Sequence, residues 1–355
     1  MNIESPQAVP ANASWPLAES PLTVSAQGAS TSLRAVGSEC GVHSVAHAYL
    51  DIVKRYVSGA LDARTSGISP CAALPSGVCF HGPITESDCI ARLADADRVF
   101  APWLSAAGKT AAEVAGFPPA KIAVSLNHMH HESRCLTMSE GALLDNVIEL
   151  AEDVIARRIP GDFIETGVWR GGMTILMRAA LAAFRDPARR VWVADSFAGL
   201  PSPDPAVHLR DAVWNHVMGL AKCLESDIDA VRAAFARAGL LDDRVCFLKG
   251  WFNETLPNAP TGPLALMRLD GDWHDSTRDA LEALYPRLSP GGAVIIDDYG
   301  LPTGCAQAVD LFRRQHRITA PLIRVNRQAV YWRKPLPIAD ASSQTGACPL
   351  RPEKG

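Results

Sequence analysis

The stretch DFIETGVWRGG, residues 162–172, carries an apolar run into a glycine-rich turn, and the residues from Gly172 to Phe184 continue at helical spacing. A strand that breaks on glycines and re-enters a helix is the ligand-binding turn of an open α/β sheet. The missing Cβ atoms let a ligand approach the backbone at the C-terminal edge of the strands. A dinucleotide site would place Gly-x-Gly-x-x-Gly here, with a pyrophosphate on the helix N-terminus. In this chain the turn reads Glu165, Thr166, Gly167, Val168, Trp169, Arg170, Gly171, so an acidic residue leads it and a tryptophan fills its middle. Glu165 would repel a pyrophosphate but can accept bonds from the ammonium of a methionine-like tail. The turn therefore favours S-adenosylmethionine (SAM) over NAD, against the plain alternative of a tight βα turn with no ligand.

Downstream, apolar runs at Val191–Ala194, Val245–Leu248, Leu264–Leu269 and Ala293–Ile296 join Phe163–Val168 as short buried strands. Helical segments fall between them at about Gly172–Phe184, Ile228–Ala238 and Ser276–Tyr285, with a last one near Ala306–His316. This rhythm predicts right-handed crossovers and a parallel sheet with helices on both faces. Leu322–Val325 and Ala329–Arg333 are separated only by Asn326-Arg327-Gln328, too short for a crossover, and so predict an antiparallel hairpin. The expected fold class is α/β: a Rossmann-like class I methyltransferase, with a mostly parallel seven-stranded sheet ending in that hairpin.

Upstream, Val42–Val57, Ile84–Ser105 and Gly141–Arg158 predict helices, the second with Thr85 as N-cap and Glu86 and Asp88 in its first turn. The expected organisation is a flexible leader over 1–36, a helical N-terminal extension and lid over 37–137, a SAM-dependent methyltransferase core over 138–334, and a flexible tail over 335–355. Composition narrows the function further. Of 355 residues, 48% are hydrophobic and 20% charged, which suits a buried core and excludes disorder throughout. The 34 Lys and Arg against 38 Asp and Glu leave a formal net charge of −4, so no nucleic acid or anionic membrane partner is expected. The N-terminus has no basic start followed by an apolar stretch, and the nine cysteines include no Cys-x-x-Cys pair. Reduced thiols and a cytoplasmic location are the expectation.

Two further strand ends carry chemistry. Asp195-Ser196 ends the second strand, where a carboxylate can accept bonds from both ribose hydroxyls of a nucleoside, whether of NAD or SAM, or else cap the following loop. Gly250, Trp251 and Phe252 follow the third strand, where the aromatics either wall an adenine ring or pack in the core. The fourth strand ends at Asp270 in RLDGDWHDST, and the fifth at Asp297-Asp298. If these strands are neighbours, about 4.8 Å apart, three carboxylates converge. Two such charges roughly 4 Å apart repel by about 4 kcal/mol at an effective dielectric of 20. Protonation or a cation must relieve them, and an all-oxygen set prefers Mg²⁺, Mn²⁺ or Ca²⁺ to zinc; the plain alternative is strand-end carboxylates that cap the helices at Ser276 and Thr303. The histidines of His128-Met129-His130-His131-Glu132 have no second ligand group at metalloenzyme spacing and read better as lid.

Taken in order, GDFIETGVWRGG, VWVADSFAGLP, RVCFLKGWFNETLP, LMRLDGDWHDST, YPRLSPGGAVIIDDYG and AVYWRK resemble the macrocin O-methyltransferase family. Its members are SAM- and Mg²⁺-dependent enzymes that methylate sugar hydroxyls on macrolide and aminocoumarin antibiotics. The resemblance implies Asp270, Asp297 and Asp298 as metal ligands, Asp272 as base, and Glu165 and Asp195 on SAM. Thr137 and Met138 match the family's lid residues. Thr166, Gly167, Trp169, Gly171, Ser196, Gly250, Trp251, Phe252 and Asp270 complete the expected cofactor wall. The chain departs from the family at Leu136, where a histidine is usual, and at His274, where a tyrosine or another large residue is common. His274 competes with Asp272 as base, since an imidazole titrates near neutral pH.

The expected reaction is methyl transfer from SAM to a hydroxyl of a small natural product, a sugar hydroxyl in antibiotic tailoring, by a homo-oligomer. A free alcohol is a weak nucleophile, so a metal that chelates two neighbouring acceptor oxygens and a carboxylate base are both required. A catechol-type enzyme would use the same parts on a phenol. A NAD-dependent oxidoreductase and a noncatalytic SAM-binding protein are the readings from other classes.

Overall fold

The structure is a computed structural model in which residues 39–60, 83–132, 135–220 and 224–336 are described. The expected leader, most of the tail and residues 61–82 lie outside them. One sheet holds β1 (Asp162–Thr166), β2 (Val191–Asp195), β3 (Val245–Lys249), β4 (Leu264–Leu269), β5 (Leu288–Ile296), β6 (Ile323–Arg324) and β7 (Val330–Arg333). Its order is β3-β2-β1-β4-β5-β7-β6. Strands β1 to β5 are parallel, and β7 runs antiparallel to both β5 and β6. This is the Rossmann-like sheet with a closing hairpin that the sequence predicts. The chain winds outward from β1 to β3 and then returns to lay β4 on the other side of β1. That reversal opens a crevice at the C-terminal strand ends.

Upstream of the sheet lie α1 (Glu39–Val57), α2 (Glu86–Val99), α3 (Ala101–Ala107), α4 (Ala111–Ala115), α5 (Pro119–Glu132) and α6 (Gly141–Ala156). Between and after the strands lie α7 (Gly172–Ala183), α8 (Leu209–Met218), α9 (Ile228–Arg237), α10 (Phe252–Thr255), α11 (His274–Leu284) and α12 (Cys305–Gln315). Alternation along each strand feeds two layers. Phe163, Val193 and Ile295 pack with α1, α6, α7 and α9 on one face, and Ile164, Met267 and Ile296 pack with α11 and α12 on the other. These side chains are buried, each removing apolar surface worth about 1.5–3 kcal/mol from water.

A third apolar cluster lies apart from the sheet. Leu93, Val114, Ile122 and Leu126 of the upstream helices enclose Val213, Trp214 and Val217 of α8, together with Trp273. Helix α2 begins as predicted: the Asp88 N–H donates to Thr85 Oγ1 at 3.2 Å, and the Thr85 N–H donates to Asp88 Oδ2 at 2.8 Å. The single helix expected over Ile84–Ser105 is instead two, divided at Phe100. Pro102 lies in the first turn of α3 and has no N–H with which to continue the ladder of α2. Among the described residues no helix is long and apolar enough to cross a membrane.

Candidate active site

A cavity of about 780 Å³ opens along the C-terminal ends of β1, β2, β4 and β5. Its first wall is the glycine turn. Gly167 has φ +79°, and a Cβ there would lie 1.6 Å from the Asp270 carbonyl oxygen, so only glycine lets β1 and β4 turn away this close together. Trp169 also takes a left-handed backbone, at φ +47°. Asp195 holds that turn: its Oδ2 accepts the Val168 N–H at 2.8 Å and the Trp169 N–H at 3.2 Å, while Oδ1 accepts the Phe197 N–H at 2.8 Å. Burial pushes the Asp195 carboxyl up, against the pull of those three bonds. Ser196, Trp251 and Phe252 line the cavity beside it. Thr137 and Met138 close it from above. They are placed there by backbone bonds on either side of Leu136: its N–H donates to the Val57 carbonyl at 2.9 Å, and its carbonyl accepts the Gly172 N–H at 2.9 Å.

The second wall is acidic. Strand register sets Glu165 directly beside Arg268, and the guanidinium, 2% exposed at the side chain, donates to Glu165 Oε1. It also lies 2.9 Å from Asp270 Oδ2 and 3.0 Å from Asp297 Oδ2. Burial works against the charge of Arg268, but Asp297, Asp270 and Glu165 keep it firmly protonated. The second oxygen of Glu165 accepts from Thr174 Oγ1. Even so, burial pushes Glu165 up to about 7, outweighing Arg268 and Thr174. Just past these ion pairs, carboxylate oxygens of Asp270, Asp272 and Asp298 lie within 4.8 Å of one another. Asp272, itself at φ +57°, donates its N–H to Asp298 Oδ2 at 2.8 Å. Burial first, then the neighbouring Asp270, pushes both Asp272 and Asp298 well above the usual carboxylate range. Carboxylate oxygens that repel one another in this way suit a small hard cation such as Mg²⁺.

The structure modifies the expected site in several respects. Asp272 stands with Asp270 and Asp298, while Asp297, expected as the third metal ligand, lies against Arg268, as Asp270 also does. Both oxygens of Glu165 are already engaged by protein groups. Thr166, Gly171, Gly250 and His274 stand behind the cavity wall instead of on it. Thr166 is fully buried, and a Cβ on Gly171 or Gly250 would meet Val231 or Thr255. The His274 ring stacks on His208 at 4.1 Å, and it is His208 that faces the cavity. His208 Nε2 and His274 Nδ1 both lie 3.0 Å from Asp275 Oδ1, which also accepts Arg278 Nη1 at 2.6 Å, and the His208, His274 and Asp275 donor atoms lie within 4.8 Å of one another. Residues 128–132 end α5, and their side chains lie outside the described residues. Sequence reading missed Arg268, His208 and Asp211. An arginine interrupting the apolar run LALMRL was the available signal for the first.

The glycine turn and the carboxylate group thus face one cavity. Residues 117–334 match the family described as macrocin-O-methyltransferase (TylF). Over 193 residues, 54% of this chain and 72% of the relative, the sequence is 53% identical to the 8-demethyl-8-(2,3-dimethoxy-alpha-L-rhamnosyl)-tetracenomycin-C 4'-O-methyltransferase of Streptomyces olivaceus. Over 192 residues, 54% of this chain and 75% of the relative, it is 46% identical to the mycinamicin III 3''-O-methyltransferase of Micromonospora griseorubida. The fold is similar to that of the O-methyltransferase NovP, with a TM-score of 0.60 and 32% identity, covering 82% of this chain and 100% of that one. A matched family profile over most of the chain, together with relatives near half identity, settles the assignment: this protein belongs to the macrocin-O-methyltransferase family.

Proposed function

We propose that this protein transfers the methyl group of SAM to a sugar hydroxyl of a glycosylated natural product in antibiotic tailoring, with Mg²⁺ as a second cofactor, in the cytoplasm. The observation that carries this reading is the shared cavity, with the Gly167 turn and Asp195 at one wall and Asp270, Asp272 and Asp298 at the other. Bound SAM supplies an electrophilic methyl, and a bound cation lowers the pKa of the acceptor hydroxyl. Asp270 and Asp298 would hold the cation. Asp272 is the proposed base: burial and the neighbouring Asp270 push its carboxyl well above the usual carboxylate range, which makes it a better proton acceptor than an ordinary carboxylate. Thr137, Met138, Trp251 and Phe252 exclude water around the reacting atoms and hold the nucleoside. The relatives' substrates, a rhamnosyl tetracenomycin and mycinamicin III, supply the sugar acceptor of this proposal. We place the acceptor lid in 37–137 and the transfer machinery in 138–334.

Thermal shift and mass spectrometry test the proposal together. SAM and S-adenosylhomocysteine should raise the melting temperature, since a ligand of the native state alone stabilises it, and NAD(H) should not. Incubated with SAM and Mg²⁺, a panel of deoxysugar glycosides should gain a methyl group while the matching aglycones do not. Stabilisation by NAD(H) alone, or methylation of phenolic aglycones in preference to glycosides, would overturn it.

A further inference from the structure

Helix α8 sits between two parts of the molecule. On one side it is fastened to the upstream helices: Trp214 Nε1 donates to the Ala115 carbonyl at 3.2 Å, and Arg92 Nε donates to the His216 carbonyl at 2.8 Å. On the other side Asp211, in its first turn, reaches the two loops that carry the carboxylate group. Asp211 Oδ2 accepts the His274 N–H at 2.8 Å and Oδ1 accepts the Gly304 N–H at 2.6 Å. The first loop starts at Asp270 and Asp272 and ends at His274; the second starts at Asp298 and ends at Gly304. Their near ends are joined by the Asp272 N–H on Asp298 Oδ2. Their far ends are joined through Asp211.

Several features mark this bridge as specific. Asp211 is 1% exposed, and an isolated buried carboxylate costs several kcal/mol unless its partners compensate. Gly304 has no alternative there, because a Cβ would lie 2.6 Å from both Asp211 Oδ2 and His274 Cβ. An amide in place of the carboxylate would turn one N–H donor against another, so asparagine can serve only one of the two loops. Trp273, between Asp272 and His274, packs into the same apolar cluster as Trp214.

We propose that Asp211 is a positioning residue that clamps the two carboxylate loops and ties their spacing to the seating of α8 on the upstream helices; this rests on the cation reading above. The test uses Asp211→Asn in the full chain, with Mn²⁺ as the probe cation, read by its paramagnetic resonance, and amide hydrogen exchange as a second readout. The His274 or Gly304 amide should lose protection. The Mn²⁺ dissociation constant should rise, and kcat at saturating metal should fall, by about 10–100-fold, the effect typical of groups that orient metal ligands, with SAM affinity within about twofold. Faster amide exchange with unchanged Mn²⁺ affinity and kcat would overturn the proposal, as would equal losses of SAM and Mn²⁺ affinity. Should Asp211→Asn fail to fold, Gly304→Ala disturbs the clamp from the other loop, and unchanged Mn²⁺ affinity in that folded variant would overturn it equally. If the wild-type protein itself binds no Mn²⁺, the cation reading falls and this proposal falls with it.

Discussion

The two edges of one sheet treat their carboxylates in opposite ways. At the N-terminal edge, Asp242 precedes β3 and accepts from Arg178 of α7 and from Arg244. The Arg178 hydrogen bond, with help from Arg244 and against burial, holds its carboxyl down to about 2. At the C-terminal edge, Glu165 and Asp297 are pushed up to about 7, where burial outweighs the pull of Arg268. Asp272 and Asp298 are displaced in the same direction. At one edge Asp242 is paired with two arginines, and at the other Glu165, Asp270 and Asp297 share the single guanidinium of Arg268. Under-compensated charge of this kind marks an edge that serves ligands, because stability alone would not retain it.

Substitutions at the two edges should therefore fail differently. Asp270→Ala removes the carboxylate that touches both Arg268 and the Asp272–Asp298 pair, and should abolish Mg²⁺ binding and turnover together, by calorimetry and by product formation. Retained Mg²⁺ affinity in that variant would break the comparison. Asp272→Asn should lower kcat by about 100-fold or more, the scale of a lost general base, with SAM affinity near that of the wild type. Because it also removes one of three mutually repelling charges, it should raise the melting temperature of the metal-free protein. At the other edge, Asp242→Ala leaves the buried Arg178 without its partner and should cost about 1–3 kcal/mol of stability in denaturant unfolding, with kcat unchanged. A comparable loss of kcat would show that the two edges are not separate.

The pH dependence of stability sharpens the same contrast. Glu165 and Asp297 have folded-state values near 7, above the roughly 4 of an unfolded carboxylate. Between about pH 4 and about pH 7 the folded protein holds protons that the unfolded chain has released, so metal-free stability should fall as pH rises through that window. Asp242 works the other way: its contribution is present above about pH 4 and is lost as pH falls toward about 2. Melting curves in EDTA should show a maximum near the lower end of the first window, and Mg²⁺ should flatten the decline above it. A metal-free protein whose stability rises steadily from about pH 5 to pH 7 would contradict the assignment of the C-terminal edge.

From Asp162 onward the fold was legible because each buried strand is a short apolar run ending in a glycine or an acid, and the helices between strands keep one apolar face. The upstream region was not, for local reasons. Pro102 hides inside what reads as one continuous helix, and α4 spans only Ala111–Ala115, too short to show a period. Helix α8 was missed although Leu209, Ala212, Val213 and Val217 do keep helical spacing, because the prolines before it suggest a loop. The carboxylate group was legible as a cluster, but which side chains meet depends on partners across the strand ends: Asp297 lies against Arg268, and Asp298 accepts the Asp272 N–H. Arg268 and Asp211 were illegible as site residues because their role lies in partners distant in sequence, Glu165 for one and Gly304 for the other.

Methyl transfer from isotopically labelled SAM to a deoxysugar glycoside, followed in EDTA and then after addition of Mg²⁺, tests the central claim most directly. The account predicts no transfer in EDTA, full recovery with Mg²⁺, and SAM binding that persists throughout. Undiminished transfer in EDTA, with elemental analysis finding no metal in the protein, would contradict it.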